Sequence, residues 1–373
     1  IAKMCFGNKI GFEFTSHLSG EELFRPCYGA FIIELNGAAA DGENVIGKTI
    51  EDYKILCRDY TVSLDNLQRV WEAKLEPVFP CRIKTTDTTP ETYSNANRIQ
   101  RSASIKVAQP RVLIPVFPGT NCEYDTARAF ERAGAKAETI VIRNLSASAI
   151  EESVNVFERA IKQSQIIMLP GGFSGGDEPE GSGKFITAFF RNAKIKDAVH
   201  DLLQNRDGLM LGICNGFQAL VKLGLVPFGE IIDMADDAPT LTFNTIARHQ
   251  SMMVTTRIAS NKSPWLYGCE VGDIHTIPIS HGEGRFVAPD RIIQQMANNG
   301  QIATQYVDLD GNPTMDIRYN PNTSVEAIEG ITSPDGRVLG KMGHSERIGS
   351  FVGKNVPGSK DQKIFESGVA YFK

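Results

Sequence analysis

Between residues 111 and 223, short apolar runs alternate with amphipathic stretches, and this alternation restricts the possible folds more than any other feature of the chain. The apolar runs have the length of buried strands and occupy residues 112–117, 137–142, 166–169 and 208–213. The stretches with helical periodicity are residues 124–133, 149–162, 186–204 and 216–223. Apolar strands joined by helices are typical of a parallel sheet that is covered on both faces.

The predicted architecture is therefore α/β, a doubly wound, flavodoxin-like domain of three layers. In such a sheet, the loops that follow the carboxyl ends of the strands build the site. This rule selects residues 118–123, 170–177 and 213–216 as the loops where functional side chains are expected to meet.

One of these loops has the form expected of a nucleophile on a tight turn, Gly212-Ile213-Cys214-Asn215-Gly216. Small residues must flank such a turn, because its backbone is strained and crowded. The turn would expose Cys214 at the top of the sheet and at a helix N-terminus, where nearby amides favour the thiolate. The alternative is a small buried cysteine between glycines that pack a helix on the sheet.

A histidine and a carboxylate that could activate this thiol lie far downstream, in Met342-Gly343-His344-Ser345-Glu346-Arg347. In an extended segment, residues two apart point to the same side, so Glu346 could reach the ring of His344 and fix its tautomer. Taken alone, this segment is better explained as a charged surface turn. Together with Cys214 it indicates a catalytic triad.

A glycine-rich loop, Pro170-Gly171-Gly172-Phe173-Ser174-Gly175-Gly176-Asp177, follows a predicted strand. It lacks the Lys-Ser/Thr pair of a P-loop and the spacing of a dinucleotide-binding loop, which argues against a nucleotide site. The loop could instead bring backbone N–H groups close to a developing oxyanion. A flexible loop with no ligand, or a weak phosphate cradle, is the alternative.

Charge and hydropathy exclude several classes of protein. Lys and Arg number 39 against 44 Asp and Glu, a formal net charge of −5, which argues against a nucleic-acid surface or a basic membrane surface. No apolar run approaches the roughly 20 residues that span a bilayer. The seven cysteines are scattered without a CxxC pair, so we expect reduced thiols, no metal site and a cytoplasmic location.

Five motifs carry a family resemblance. GICNGFQ, PGGFSGGD and MGHSER together resemble the class I (triad) glutamine amidotransferase domains. FPGTNCE at 117–123 and SHGEGRF at 280–286 narrow the resemblance to the glutaminase domains of the phosphoribosylformylglycinamidine synthases, the formylglycinamide ribonucleotide amidotransferases of purine synthesis. The motifs occur in the family's order, and the resemblance covers about residues 110–350.

The resemblance implies a role for particular residues. It places the nucleophile at Cys214, the general base at His344 and its partner at Glu346, with oxyanion-binding backbone amides at Gly172 and Asn215. It also implies a glutamine pocket formed with Gln218, Phe173 and His281, and it leaves the roles of Glu283, Arg285 and residues 121–123 unassigned. The chain departs from many relatives at Ser345, where they carry proline, and at Phe217, where His or Cys is commoner.

The activity implied is that of an ATP-dependent carbon–nitrogen ligase with glutamine as nitrogen donor. This portion would hydrolyse glutamine through a cysteine thioester to glutamate and ammonia. The synthetase half of the same polypeptide would then use the ammonia, with ATP, to convert formylglycinamide ribonucleotide to formylglycinamidine ribonucleotide. ATP and magnesium are expected to bind upstream of this chain, and no nucleic-acid or membrane partner is expected.

The leading segment is expected to be a separate part of the molecule. Residues 1–83, with predicted strands at 28–35 and near 44–46 and a helix over 63–75, resemble the α+β tail of a synthetase domain with the aminoimidazole-ribonucleotide-synthetase-like fold. Residues 84–110, rich in Thr, Ser, Asn and Pro, are predicted to be a polar linker, and residues 111–373 the amidotransferase domain. Because the chain begins at Ile1, we expect it to be a C-terminal portion.

Two other functions are compatible with parts of the pattern. A cysteine hydrolase of the intracellular-protease and deglycase family would also use an elbow cysteine on a flavodoxin-like sheet, but it would not need the pair His344 and Glu346. A non-catalytic binding module would have Cys214 as a structural thiol. Reactivity of Cys214 toward iodoacetamide separates the second alternative from the enzymes.

Overall fold

A computed structural model describes residues 1–39, 44–58, 60–80, 83, 88–98, 102–175 and 183–373. The chain forms two compact units, Ile1–Arg82 and Ile83–Lys373. No helix in these described ranges is both long enough and apolar enough to cross a membrane. The three-part division predicted from composition, and the likeness of the first part to a synthetase tail, stay predictions.

The first unit is a small α+β structure around a four-stranded sheet of order β2-β1-β3-β4. Its elements are α1 (Ala2–Asn8), β1 (Gly11–Phe14), α2 (Gly20–Phe24), β2 (Gly47–Ile50), β3 (Lys54–Cys57), β4 (Tyr60–Ser63) and α3 (Leu64–Ala73). The helix predicted over 63–75 is confirmed as α3. The Ser63 hydroxyl caps it by accepting the amide hydrogen of Asn66.

The strand predicted over residues 28–35 is wrong. The segment has no strand structure, and Tyr28 and Phe31 are 99% and 89% exposed. β-branched and aromatic residues favour a strand only where a neighbouring strand and a buried face receive them, and this segment has neither. The weaker prediction near 44–46 is displaced, since the nearest strand there, β2, begins at Gly47.

The second unit begins with the predicted alternation of strands and helices. It contains β5 (Arg111–Val116), α4 (Glu123–Arg132), β6 (Lys136–Val141), α5 (Ala147–Gln163), β7 (Ile166–Leu169), α6 (Lys184–Phe190), α7 (Ala193–Gln204), β8 (Leu209–Ile213), α8 (Asn215–Leu223) and the short α9 (Leu225–Phe228). All four predicted strands are present. The helix predicted over 186–204 is two helices, because the chain breaks at Asn192, whose side chain caps α7.

The remaining elements build an extension that the sequence did not predict. They are β9 (Thr240–Thr242), β10 (Gln250–Ile258), β11 (Ile274–His281), β12 (Arg285–Val287), α10 (Asp290–Asn298), β13 (Ile302–Tyr306), β14 (Ile328–Thr332), β15 (Val338–Lys341) and α11 (Ile364–Ala370). Two 3₁₀ turns lie at Pro264–Leu266 and Val325–Ala327.

The main sheet has nine strands in the order β11-β10-β13-β14-β15-β8-β7-β5-β6. The strands from β15 to β6 are parallel, and those from β15 to β11 pair antiparallel. Every residue of β7 and β8 is buried, as expected of central parallel strands. The carboxyl ends of β5, β7, β8 and β15 therefore meet at one edge of the sheet, and the loops that follow them form the candidate site.

The polar segment before β5 is held on the second unit over its described part. The Tyr93 amide donates to Gln305 Oε1 at 3.1 Å, and the Asn95 amide donates to the carbonyl of Ala259 at 2.8 Å. The Arg257 guanidinium donates to the Tyr93 carbonyl at 2.7 Å. Residues 88–98 thus form a hydrogen-bonded strap rather than a free spacer, while residues 84–87 and 99–101 lie outside the described ranges.

Candidate active site

Cys214 occupies the sharp turn between β8 and α8. Its backbone has φ 54° and ψ −109°, a conformation that L-residues rarely adopt. The flanking glycines are required by space: a Cβ at Gly212 would lie 2.5 Å from Leu220 Cδ1, and one at Gly216 would lie 2.0 Å from the carbonyl oxygen of Leu169. The predicted strand-to-helix elbow is therefore present.

The thiol of Cys214 is 5% exposed, and its ionisation reflects opposing effects. Burial raises its pKa, whereas the charge of His344 and contact with His281 lower it, and the net result is a pKa of about 6. A thiolate is the nucleophilic form of cysteine, so this environment produces a reactive thiol near neutral pH.

His344 reaches the elbow because β15 is the parallel neighbour of β8. Lys341, the last residue of β15, is paired with Ile213, and its carbonyl accepts the amide hydrogen of Cys214 at 2.9 Å. Residues 342–347, called here the histidine loop, continue directly from that strand. The sheet register thus brings two segments that are 130 residues apart in sequence to the same point.

His344 and Glu346 form a buried pair, with 2.6 Å between Nδ1 and Oε1 and at most 1% of each residue exposed. Burial lowers the pKa of His344, but the charges of Glu346 and Cys214 raise it well above its usual value. Burial raises the pKa of Glu346, but its bond to His344 holds it below the usual range. A hydrogen bond from Nδ1 to the carboxylate leaves Nε2 as the nitrogen that can exchange a proton.

Gly171 lies at a crowded point where three loops of the site meet. A Cβ on it would lie 2.7 Å from His344 Cε1, 3.1 Å from Cys122 Sγ and 3.4 Å from Cys214 Cβ. The sequence included Gly171 in a motif but did not distinguish it from the other glycines. Its special position follows from the distances between three loops, which a linear pattern does not contain.

Cys122, which the sequence analysis left without a role, is buried beside the histidine. Its Sγ lies 3.9 Å from His344 Nδ1 and accepts a hydrogen bond from Arg347 Nη2 at 3.1 Å. It lies in the loop after β5, one of the three loops that the rule on the carboxyl ends of strands selected, but nothing in the sequence distinguished it from its neighbours. Arg347 could have been selected as the neighbour of Glu346.

The glycine-rich loop crosses over the loop after β5. Gly172 has φ +142°, and a Cβ on it would lie 2.7 Å from both the Gly119 carbonyl and Thr120 Cα. The Phe173 amide donates to the Gly119 carbonyl at 2.8 Å. The structure thus brings Gly172 next to the site, while Gly176 and Asp177 of the same motif lie outside the described residues.

Asn215 and Gln218 connect three parts of the site. Asn215 Oδ1 accepts from the Ser174 hydroxyl at 2.6 Å, and Asn215 Nδ2 donates to Gln218 Oε1 at 3.0 Å. Gln218 Nε2 in turn donates to the carbonyl of Glu283. The two side chains therefore link the glycine-rich loop, the start of α8 and the SHGEGRF loop, and their roles toward a substrate stay predictions.

His281 is held against the elbow by a network that the sequence did not predict. Its Nε2 lies 2.7 Å from Asn322 Oδ1, and Asn322 Nδ2 donates to the Tyr306 hydroxyl and to the Gly284 carbonyl. Because Nδ2 already has acceptors, Asn322 Oδ1 is the acceptor for His281. Phe173, the other expected substrate contact, has its ring 6.1 Å from that of His249.

Comparisons with known proteins identify the family of this chain. The family model of the CobB/CobQ-like glutamine amidotransferase domain matches residues 109–372. The phosphoribosylformylglycinamidine synthase subunit PurQ of Methanococcus maripaludis strain C7 is 38% identical over 247 residues, which cover 65% of this chain and 84% of that protein. The subunit of the same name from Chlorobaculum tepidum is 31% identical over 266 residues, covering 71% of this chain and 98% of its own.

A solved structure titled as PurLQS from Thermotoga maritima aligns with a TM-score of 0.51 at 26% identity, over 71% of this chain and all of that chain. The chain belongs to the CobB/CobQ-like glutamine amidotransferase family. The predicted α/β amidotransferase fold and the resemblance to the phosphoribosylformylglycinamidine synthases are confirmed by these matches.

Proposed function

We propose that the second unit hydrolyses glutamine as the glutaminase part of a phosphoribosylformylglycinamidine synthase, in purine biosynthesis. One observation carries this proposal: the cysteine on the strained elbow lies beside a buried His–Glu pair that the β8–β15 ladder aligns with it. The similarity to the PurQ subunits supports the choice among amidotransferases.

In the proposed reaction, the Cys214 thiolate attacks the side-chain amide carbon of glutamine. The proton held by His344 passes to the leaving nitrogen, so ammonia departs and a glutamyl thioester remains. His344 then takes a proton from water, which hydrolyses the thioester to glutamate. Glu346 keeps Nδ1 of His344 hydrogen-bonded throughout, so that Nε2 exchanges the proton in both steps.

Backbone amides of Gly172 and Asn215 are proposed to bind the oxyanion of the tetrahedral intermediates. The crowded glycine-rich loop supports this, because only a residue without Cβ allows the backbone of Gly172 to lie against the loop after β5. Each such donor typically contributes about 2.7–4 kcal/mol to transition-state stabilisation. Gln218, Phe173 and His281 are proposed to shape the pocket for the remainder of glutamine.

The partner of this unit is proposed to be the synthetase half of the same polypeptide. The complete enzyme is an ATP-dependent carbon–nitrogen ligase, in which ammonia replaces the formyl-amide oxygen of formylglycinamide ribonucleotide. Ammonia is nucleophilic only while unprotonated, so an internal route to the synthetase site is part of the proposal. Association with a synthetase partner is supported by the relatives named as synthase subunits.

ATP and magnesium are proposed to bind to the synthetase half. Among the described residues, one cluster has potential metal-binding atoms within 4.8 Å of one another, at Cys122, His344 and Glu346. Its donors are a thiol, an imidazole and one carboxylate, whereas magnesium prefers an octahedron of oxygen ligands. The cluster therefore does not fit magnesium, and no step of the proposed reaction passes through a metal.

Cys214→Ala tests the nucleophile, with Cys57→Ala in the first unit as the matched control. We expect Cys214→Ala to abolish glutamate release from glutamine and to leave ammonia-dependent synthesis in the complete enzyme, because only the thioester step is lost. A glutamine-analogue alkylator, followed by peptide mapping, should label Cys214 in the wild type and in Cys57→Ala. Glutamate release that persists in Cys214→Ala would sink the assignment.

The same measurements separate the alternatives. Label on Cys214 without turnover would indicate a competent site that needs its synthetase half, whereas absence of label would favour a binding module. Glu346→Gln distinguishes the deglycase-type hydrolase. An amidotransferase should lose glutamate release in this variant, whereas a deglycase-type hydrolase should keep its activity, because it has no need of the pair His344 and Glu346. That alternative is not favoured, because the relatives are amidotransferase subunits and the pair is buried and hydrogen-bonded.

A further inference from the structure

A buried ion pair lies directly behind the histidine loop. Lys341 Nζ is 3.3 Å from Glu329 Oε1, and both side chains are at most 1% exposed. Lys341 ends β15, and Glu329 lies on the adjacent antiparallel strand β14. Neither residue takes part in the reaction proposed above. Removing two charges from water is costly, so the ion pair needs another explanation.

The ion pair is hydrogen-bonded to the residue before His344. The Gly343 amide donates to Glu329 Oε1 at 2.6 Å, and the Gly343 carbonyl accepts from Lys341 Nζ at 3.0 Å. Gly343 has no space for a side chain, because a Cβ on it would lie 2.1 Å from Ile277 Cδ1. Both backbone polar groups of Gly343 are therefore bound to the ion pair.

The ion pair also holds the residue after His344. Lys341 Nζ donates to the Ser345 hydroxyl at 3.0 Å, and that hydroxyl donates to Gln362 Oε1 at 2.6 Å. These side-chain hydrogen bonds hold the position directly after His344.

Stability alone gives a poor account of this arrangement. Burying two charges costs more than their attraction commonly returns, so an apolar pair of similar volume is often as stable or more stable. What the charged pair supplies and an apolar pair cannot is a set of directed hydrogen bonds. Three of those bonds end on the two residues that flank His344, and a fourth joins Glu329 Oε2 to the Thr304 hydroxyl on β13.

We propose that Lys341 and Glu329 are positioning residues, which hold the histidine loop so that His344 meets both Glu346 and Cys214. The proposal rests on the proposed roles of those three residues. Lys341 bonds to the loop on both sides of His344, and Glu329 binds the Gly343 amide, so the ion pair fixes the backbone on either side of the imidazole, in addition to the bond from the His344 amide to the Pro278 carbonyl. Loss of supporting hydrogen bonds, or displacement of a reacting group by about 1 Å, typically costs about 10- to 100-fold in activity.

The double variant Lys341→Met/Glu329→Gln tests the proposal without leaving an unpaired buried charge. Methionine replaces the lysine stem, and glutamine can still accept the Gly343 amide hydrogen. We expect kcat for glutamine hydrolysis, and the rate at which a glutamine-analogue alkylator labels Cys214, to fall about 10- to 100-fold, with KM within about twofold. Ser345→Ala, which leaves both charges paired, should give a smaller fall in the same direction.

Gln301→Met is the matched control for loss of a buried polar side chain next to the same sheet, directly before β13. Gln301 donates to the carbonyls of Pro227 and Thr332 at 2.8 and 2.9 Å, and in the described part of the chain its side chain has no hydrogen bond to the histidine loop. We expect this control to lower the melting temperature without changing kcat or the labelling rate. A purely structural role for the ion pair predicts the same result for the double variant.

A second readout does not depend on glutamine chemistry. The Nδ1 proton of His344 shared with Glu346 should give a far-downfield proton resonance, assigned by its loss in Glu346→Gln. The proposal expects this resonance to move or disappear in the double variant and to persist in Gln301→Met. A folded double variant with wild-type kcat, labelling rate and resonance overturns the proposal. Wild-type protein that neither hydrolyses glutamine nor labels at Cys214 overturns the proposed function instead, and the resonance still decides whether the ion pair positions His344.

Discussion

The reactivity of Cys214 depends on which of two opposing effects prevails. Burial by itself makes the charged thiolate unfavourable, as it does for Cys269, whose pKa burial raises to about 12. Cys214 is buried as well, yet its pKa is about 6, because His344 and His281 face it. The two thiols show that position relative to a cation, rather than burial, decides the chemistry of a cysteine in this protein.

The alkylation rate of Cys214 should therefore depend on pH in a defined direction. The reactive thiolate forms as pH rises, so the rate with iodoacetamide should increase through a midpoint near the pKa of about 6 and then level off. His344→Gln removes the larger of the two effects that oppose burial and leaves only His281 against it, so the midpoint should move upward, toward the ordinary thiol value of about 8.5. Cys269 is the internal control and should stay unreactive. A wild-type midpoint at the ordinary thiol value would contradict this account.

Gly171 is predicted to tolerate no side chain, because its Cβ would lie 2.7 Å from the imidazole of His344. Gly171→Ala should lower kcat for glutamine hydrolysis by about 100-fold, since the ring must move by a fraction of an ångström to an ångström. Gly349→Ala, whose Cβ would lie 3.5 Å from Val352, is the matched control and should keep wild-type kcat. Steady-state kinetics with a thermal melt of each variant checks the prediction, and normal kcat in Gly171→Ala would refute it.

At the scale of elements, the site depends on one ladder. β8 and β15 are parallel and paired from Met210–Val338 to Ile213–Lys341, so the elbow and the histidine loop leave the sheet side by side. A shift of one residue in this register would point the side chains to the opposite face. The triad is therefore a consequence of strand pairing, and its members need no proximity in the sequence.

The elbow also sets how closely α8 approaches the sheet. Gly216→Ala would place a Cβ 2.0 Å from the Leu169 carbonyl, so helix and strand must separate. We expect the free energy of unfolding of the second unit to fall by about 1–3 kcal/mol or more. Urea denaturation, followed by the fluorescence of the buried Trp265 in a Trp71→Phe background, measures this. Gly282→Ala, with its Cβ 3.9 Å from the nearest atom, should change stability by much less.

The elements that the sequence predicted correctly are those whose signal lies within a few neighbouring residues. β7 and β8 are buried on both faces and read as continuous apolar runs, and α3 has a serine cap at its first turn. The run at 28–35 is similarly apolar but has no neighbouring strand among the described residues. The strands β10 to β14 do not alternate regularly with helices, so the pattern that revealed the parallel strands does not reveal them. Local composition therefore identified the central parallel strands and failed where pairing partners decide the structure.

At the scale of the whole molecule, each of the two units has its own sheet, and the polar strap of residues 88–98 belongs to the second. Arg257 holds the strap through the Tyr93 carbonyl and the Ser94 hydroxyl, at 2.7 and 2.8 Å. Within the strap, the Arg98 guanidinium donates to the Cys269 carbonyl at 2.9 Å. A segment of linker-like composition is thus ordered, because the folded unit supplies donors and acceptors for its backbone.

Arg257→Met should loosen this strap, because the Tyr93 carbonyl then loses its donor. We expect trypsin to cleave after Arg98 several-fold faster in limited proteolysis, since a protease needs locally released backbone. Arg318→Met, which removes a surface arginine that pairs with Asp316, is the control and should leave that cleavage rate unchanged. Equal rates in the two variants would show that the other hydrogen bonds suffice to hold the strap.

The sequence by itself determined the central strands and helices, the need for small residues around Cys214 and the pairing of His344 with Glu346, because each of these depends on residues within a few positions of one another. It also identified the family, through five motifs in order. The sequence also selected the loops that contain Gly171 and Cys122, but only the tertiary structure decided that these two residues are the ones beside His344 and that the ion pair of Lys341 and Glu329 lies behind it. Their proximity comes from the register of neighbouring strands and from the space between three loops, and interactions between distant parts of a chain leave no local pattern in its sequence.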